Sequence, residues 1–472
     1  MADQTVQSKF TALGGGEIQL GITRKPITAW GGMVVFAAFC ETVGLRSALD
    51  RLLDGCGRTS PNALPVADHM LAFMVGVLTG ASRFLHLERL RVDTPLREMF
   101  GIRRFCAPST YTRFFQGFTY QMREDVFFGL TRWALGLLPG RESGYTMDLD
   151  STVLERFGEQ EGVLPGYNPR RHGRPTHHPL LAGLAEARWL LHGWLRAGNV
   201  ATANGVRAFM DECLALLDGV ATLRLVRADN GFFDGKFLDY LEEKSLPYLV
   251  KGRMTKFVKL AVLGVSDWTR VGKGIEVAEA RIKLLGWSRD RRLVVIRQEV
   301  ATKETKALGK KLFECQGYTF QAIVTSKAAE EMDATTVYRT YNGRAEFENR
   351  IKELKSGCGL EGFCMDSFLA TECVLRTLCL VHNLIQHFQD RIGLRPAGAQ
   401  KKEGKRHVLE TLRHRLFSCA AILGRTGRTK VLRLSSGDAW LSTFHAVLTR
   451  LLVPISNCKA DPHEGPLIAL MA

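Results

Sequence analysis

Tyr341, Arg344, Glu348 and Lys355 follow one another at intervals of three, four and seven residues. A helix through residues 341–355 carries all four on one face. Helices ordinarily turn an apolar stripe inward and leave charge to water. This stripe instead holds a phenol, a guanidinium, a carboxylate and an ammonium. A carboxylate framed by cations suits a divalent metal held against a phosphate backbone. The alternative is a solvated face with i,i+4 ion pairs, and spacing alone does not separate the two. Glu346 and Glu353 fall off the stripe and read as solvated, with Arg350 and Lys352 adding to a basic surface.

Other acids stand at privileged places. Asp148 and Asp150, in Thr-Met-Asp-Leu-Asp-Ser-Thr, are two apart on a predicted strand and so share a face. Asp229 follows a short apolar strand, at the kind of strand end where open α/β sheets place their ligands. Asp229 also fits a plain helix cap, and Asp148 fits the orienting of a neighbouring arginine. Asp150, Asp229 and Glu348 together suit two Mg²⁺ ions, or Mn²⁺. One ion would serve the attacking oxygen of a phosphoryl displacement and the other the departing oxygen. Such carboxylates repel one another without a cation.

The chain must position these residues, and it has the material to do so. Its 472 residues are enough for two or three domains, and 46% hydrophobic with 24% charged content excludes a disordered chain. A formal charge of +16 implies a polyanionic partner, most economically double-stranded DNA. The apolar runs 30–40 and 70–81 are too short to cross a bilayer and read as buried helices, so no membrane partner is expected. The first residues lack a basic-then-apolar signal pattern. Eleven cysteines without a CxxC pair suggest reduced thiols in a cytoplasmic protein. His177 and His178 are adjacent, which is poor geometry for a shared zinc ion.

Texture changes along the chain. Residues 1–140 read as mainly helical, with two short helices near 94–100 and 108–118 in which Arg113 and small hydroxyls could meet DNA. Residues 141–251 alternate strands (145–154, two within 180–195, 223–227, 246–250) with helices (202–217, 233–244), which predicts a mixed α/β sheet. Residues 252–330 read as a β-rich insertion with few helix signals, and 331–390 as two helices, the second long and apolar. Residues 391–472 form a basic end, with 12 Lys or Arg against two acids over 391–435 and a hairpin expected at Gly424–Gly427. The basic loop with Arg170, Arg171 and Arg174 reads as a tracker of a phosphate backbone.

These residues carry a family resemblance. Y-x2-R-x3-E-x6-K is matched in full by Tyr341, Arg344, Glu348 and Lys355, and resembles the signature of DDE transposases of bacterial insertion sequences. Asp150-Ser-Thr and Arg-Ala-Asp229-Asn-Gly-Phe resemble that family's first and second acidic segments. The stretches 166–179 and 348–355 look like insertion-sequence family 1380. The resemblance implies an RNase H-like core with a β-strand insertion, and Asp150, Asp229 and Glu348 as the metal-binding triad. It further implies that Tyr341, Arg344 and Lys355 contact transposon-end phosphates, and that Trp268 or Trp287 stacks on a flipped base.

The expected activity is binding of terminal inverted repeats, Mg²⁺-dependent cleavage and transfer of the 3′-hydroxyl to target DNA. A homodimer on paired ends and a bacterial, nucleoid-associated location follow from that mechanism. A nuclease that cuts without joining and a non-catalytic DNA binder remain as alternatives.

Overall fold

In the computed structural model, the described residues are 4–12, 14–57, 63–168, 171–300, 313–315, 317–395, 406–438, 440–452 and 468–469. Arg170 of the basic loop lies outside them. The chain opens not with a helix but with an antiparallel hairpin, Gln4–Thr11 on Glu17–Ile22. Helices then dominate: α1 (Val34–Thr42), α2 (Leu45–Leu52), α3 (Val66–Leu78), α4 (Thr94–Met99), α5 (Pro108–Gln116) and α6 (Tyr120–Leu135). Pro at the first turn of α4 and α5 matches the expected starts there.

One large sheet follows. Its strands, labelled along this sheet, are β1 (Tyr145–Ser151), β2 (Leu180–Leu184), β3 (Trp189–Trp194), β4 (Leu223–Ala228), β5 (Tyr248–Lys251), β6 (Thr269–Gly272), β7 (Ile275–Ile282), β8 (Arg291–Glu299) and β9 (Tyr318–Thr325). The order across the sheet is β6-β7-β8-β9-β5-β4-β1-β2-β3, with Phe313–Cys315 pairing on β9. β1, β2 and β3 form an antiparallel meander, and β4 and β5 run parallel to β1. The crossovers into β4 and β5 carry α7 (Val206–Leu217) and α8 (Gly235–Glu243). Strands of the β-rich stretch extend this same sheet through the antiparallel β5–β9 pair. That stretch also holds a helix its sequence does not announce, α9 (Lys256–Leu263), capped by Thr255.

The parallel register sets Arg227 directly beside Asp148 and brings the carboxyl ends of β1 and β4 together. β1 is buried from Tyr145 through Leu149 and opens only at Asp150 and Ser151. Past the sheet, the expected single helix is two: α10 (Ala334–Asn342) and α11 (Ala345–Ser356). α11 rests closely on β2 because Gly183 has no side chain; a Cβ there would stand 2.2 Å from the Phe347 ring.

The long helix α12 (Phe368–Arg391) is apolar enough to cross a membrane by length and composition, but 89% of its most apolar window is buried in the fold. It packs on β3 on one side and on α3, α5 and α6 on the other, so the N-terminal helices and the sheet share one hydrophobic core. Asn383 pins the helix to the sheet, accepting from the Leu190 amide and donating to its carbonyl, both at 2.8 Å. The expected basic hairpin is present as Ala421–Thr426 on Thr429–Leu434.

Candidate active site

Asp150, Asp229 and Glu348 line one open groove of about 1650 Å³. Asp150 comes from the partly buried end of β1. Asp229 sits one residue past β4, where its Oδ1 accepts the Gly231 amide at 2.8 Å and caps a single 3-10 turn, so the cap read for it in the sequence is present at the groove wall. Glu348 projects from the first turn of α11 and its side chain is 54% exposed.

Arg344 joins two of the three. Its Nη2 lies 3.0 Å from Asp150 Oδ2 and its Nη1 3.0 Å from Glu348 Oε1. Burial works against the Arg344 charge, but Asp150, Tyr341, Asp229 and Glu348 raise its pKa nonetheless. Asp150 is pushed up to about 7: burial raises it, Arg344 opposes, and the charges of Asp229 and Glu348 add to the rise. Asp150 is therefore the acid whose charge is least well solvated, with two further carboxylates near it. A donor set of carboxylate oxygens only fits a hard cation such as Mg²⁺ or Mn²⁺. Among the described residues, however, no three acid, His or Cys side chains close on a common point; the Arg344 guanidinium stands between Asp150 and Glu348.

The remaining signature residues fall differently from expectation. Tyr341 is buried and donates to the Ala228 carbonyl at 3.3 Å, and Arg344 is buried on the acids, so neither points into the groove as a phosphate contact. Burial is also the main cause of the raised Tyr341 pKa. Lys355 does line the groove, donating to the Val153 carbonyl and pairing with Glu361, both at 2.9 Å.

Two background readings change as well. Glu353 is not freely solvated: its side chain is only 10% exposed, accepts the Leu409 amide at 2.8 Å and faces His382. Arg350 is not surface charge: it is buried and donates to the Leu184 and Ala185 carbonyls. Glu346 is exposed, as expected, and reaches Arg188.

The basic loop stands at the groove rim. Arg171 pairs at 3.2 Å with Glu155, and Arg174 sits over the Phe157 ring, 5.2 Å from its centroid; Glu155 and Phe157 both line the groove. His177 and His178 are buried on the Glu161 and Val200 carbonyls. Arg113 lies on the exposed face of α5, away from the groove, bonded to Ser109 of its own helix. Trp287 is buried against Phe233, and Trp268 lies under Arg297 at 4.1 Å, so both have packing partners.

Sequence reasoning missed Arg83, and it missed Arg253 and Lys352 as members of this groove. Lys352 is one turn beyond Glu348 and Arg253 just follows β5, so helical spacing and the strand-end rule were available for both. Arg83 follows α3 and gives no such signal; only packing of the helical region brings it here.

The family model for the transposase DDE domain, group 1, matches residues 10–453. The chain belongs to that family. No curated protein matches it. Among solved structures, a piggyBac transposase synaptic complex with hairpin DNA is similar at 11% identity and a TM-score of 0.40, covering 84% of this chain and 83% of that one. In this DDE transposase family member Asp150, Asp229 and Glu348, far apart in the chain, line one groove.

Proposed function

We propose that this transposase binds the terminal inverted repeats of its own element, cuts the DNA by two-metal hydrolysis, and joins the freed 3′-hydroxyl to a target strand. The convergence of Asp150, Asp229 and Glu348 on one groove carries this reading. An RNase H-like core is supported by the antiparallel meander β1–β3 with β4 and β5 parallel beside β1.

Asp150, Asp229 and Glu348 would hold Mg²⁺ or Mn²⁺, which when bound supplies Lewis-acid stabilisation to the oxygens of an in-line displacement. The chain's own groups do the rest. Arg344 bridges Asp150 and Glu348, offsets part of their charge and fixes their orientation. Lys355 and Lys352 offer cations to phosphates beside the scissile bond, and Arg171 and Arg174 to phosphates at the rim. Arg113, on the helical region, would contribute to end recognition.

Cleavage and joining are both phosphoryl displacements, so one site serves both steps. Two ends must be paired, which calls for a homodimer on DNA. The signature spacing favours the insertion-sequence group, and the stretches 166–179 and 348–355 favour family 1380 within it, acting on bacterial DNA in the cytoplasm.

The test is purified protein on a labelled duplex carrying the ends of the DNA element that encodes the chain, with Mg²⁺, wild type beside Glu348→Gln. Wild type should nick and join while the variant only binds. Equal nicking by both would sink the assignment of Glu348. Nicking without a joined product would favour a plain nuclease.

A further inference from the structure

Asp148 lies two residues from Asp150 on the same strand, yet it is fully buried and does not line the groove. Its partner is Arg227, directly opposite on β4. Arg227 Nε donates to Asp148 Oδ1 at 2.7 Å and Nη2 to Oδ2 at 2.8 Å, the two-pronged match of guanidinium and carboxylate. The third nitrogen, Nη1, donates to the Thr340 carbonyl at 2.6 Å.

In an uninterrupted α-helix the Thr340 carbonyl accepts the Arg344 amide, four residues on. Here the Arg344 amide bonds Tyr341 instead, and the amides of Glu346 and Phe347 likewise bond three residues back. This tight stretch is the break between α10 and α11. Gly343 leaves room for it, since a Cβ there would stand 2.7 Å from Arg227 Nη1. Arg344, the bridge between Asp150 and Glu348, is the residue at which the chain leaves the break.

We propose that Asp148 and Arg227 are positioning residues of the acid site: a buried ionic clamp that draws the Thr340 carbonyl out of the helix and so sets the angle at which Arg344 and Glu348 face Asp150. This rests on the cleavage reading above. The geometry has leverage. A residue wound three to the turn advances about 20° more than one wound 3.6 to the turn. The two residues between the helices, Gly343 and Arg344, wound this way rotate α11 by roughly 40°, which carries a carboxylate about 6 Å from the axis through about 4 Å. A misplacement of about 1 Å can already cost on the order of 100-fold in rate. Packing alone does not require the charges, because apolar side chains of similar volume fill such a space as stably.

The test is therefore the charge-free pair Asp148→Leu with Arg227→Met. This variant should keep the wild-type melting temperature within a few degrees and the wild-type Kd for the end duplex. Single-turnover nicking of the bound duplex should fall on the order of 100-fold. Hydrogen exchange of amides 341–347 should change at least about tenfold, as the Arg344 amide regains the Thr340 carbonyl, with the rest of the chain unmoved. Wild-type nicking, or wild-type exchange in that segment, would overturn the proposal. If the pair does not fold, Gly343→Ala takes its place: the same two changes support the clamp, and their absence overturns it. Glu348→Gln, run alongside, should lose nicking with exchange unchanged. A wild-type protein that fails to nick would defeat the cleavage reading, while the exchange comparison still decides the clamp.

Discussion

Asp148 and Asp150 are the same residue type on the same strand face, two positions apart, and they live in opposite electrostatic worlds. Asp148 is sealed at the buried part of β1, with both oxygens matched by one guanidinium. Asp150 stands where the strand opens, shares Arg344 with a half-exposed Glu348, and is pushed up to about 7 by burial beside two further acids. A closed pair has no capacity left for a ligand. An underpaired, mutually repelling set has unspent affinity for a cation. Under the proposed function, neighbouring acids thus divide into a structural one and a chemical one according to how completely each charge is matched.

The largest effect should come from the open set. Glu348→Gln or Asp150→Asn should lower Mg²⁺-dependent nicking by on the order of 10³-fold or more while leaving binding of the end duplex near wild type, read by gel and by anisotropy. If Asp148→Asn kills nicking with an unaltered fold and Asp150→Asn does not, the division of roles is inverted.

Stability should respond in the reverse sense. Asp148→Asn leaves Arg227 buried with its match broken, and should cost about 3–5 kcal/mol in denaturant unfolding. Asp150→Asn should instead stabilise the metal-free protein. A carboxyl whose folded pKa lies near 7, above its ordinary 3.8, binds its proton more tightly folded than unfolded. Its ionisation therefore removes stability as pH rises from about 4 to 7. The variant should gain roughly 2–4 kcal/mol over wild type at pH 8 and nothing below pH 4. A gain that does not change with pH would remove Asp150 from that account.

Smaller effects belong to the rim. Lys355→Ala, Arg171→Ala and Arg174→Ala should each weaken end binding modestly and lower the salt slope by about one, without regard to sequence. A slope unchanged in all three would place the DNA elsewhere on the molecule.

Much of this was legible in the residues. The strands and helices of 141–251 follow their periodicity, and α12 follows its long apolar pattern. Asp150, Asp229 and Glu348 stand out in the sequence because each lies where local rules place ligands, at a strand end or on a polar helix stripe, and all three line one groove. The stripe itself kept its direction, but its role split: Lys355 reaches the groove, while Tyr341 and Arg344 turn to the strand ends behind it. Glu353 and Arg350 look like ordinary surface charges in any window of sequence. Their burial depends on what α11 packs against, including the Leu184 carbonyl 166 residues away.

The sequence by itself determined the alternation of Asp148 and Asp150 on one strand, the order of the acids along the chain, and a net charge suited to a polyanion, because these follow from period and composition. Only the tertiary structure decided which acid is sealed and which is open, where the helix breaks, and what Arg344 holds. Those outcomes depend on partners such as Arg227 and Asp148, 79 residues apart, which meet only when β4 pairs with β1. A charge's function is set by how completely its partners match it, and that match does not exist before the sheet forms.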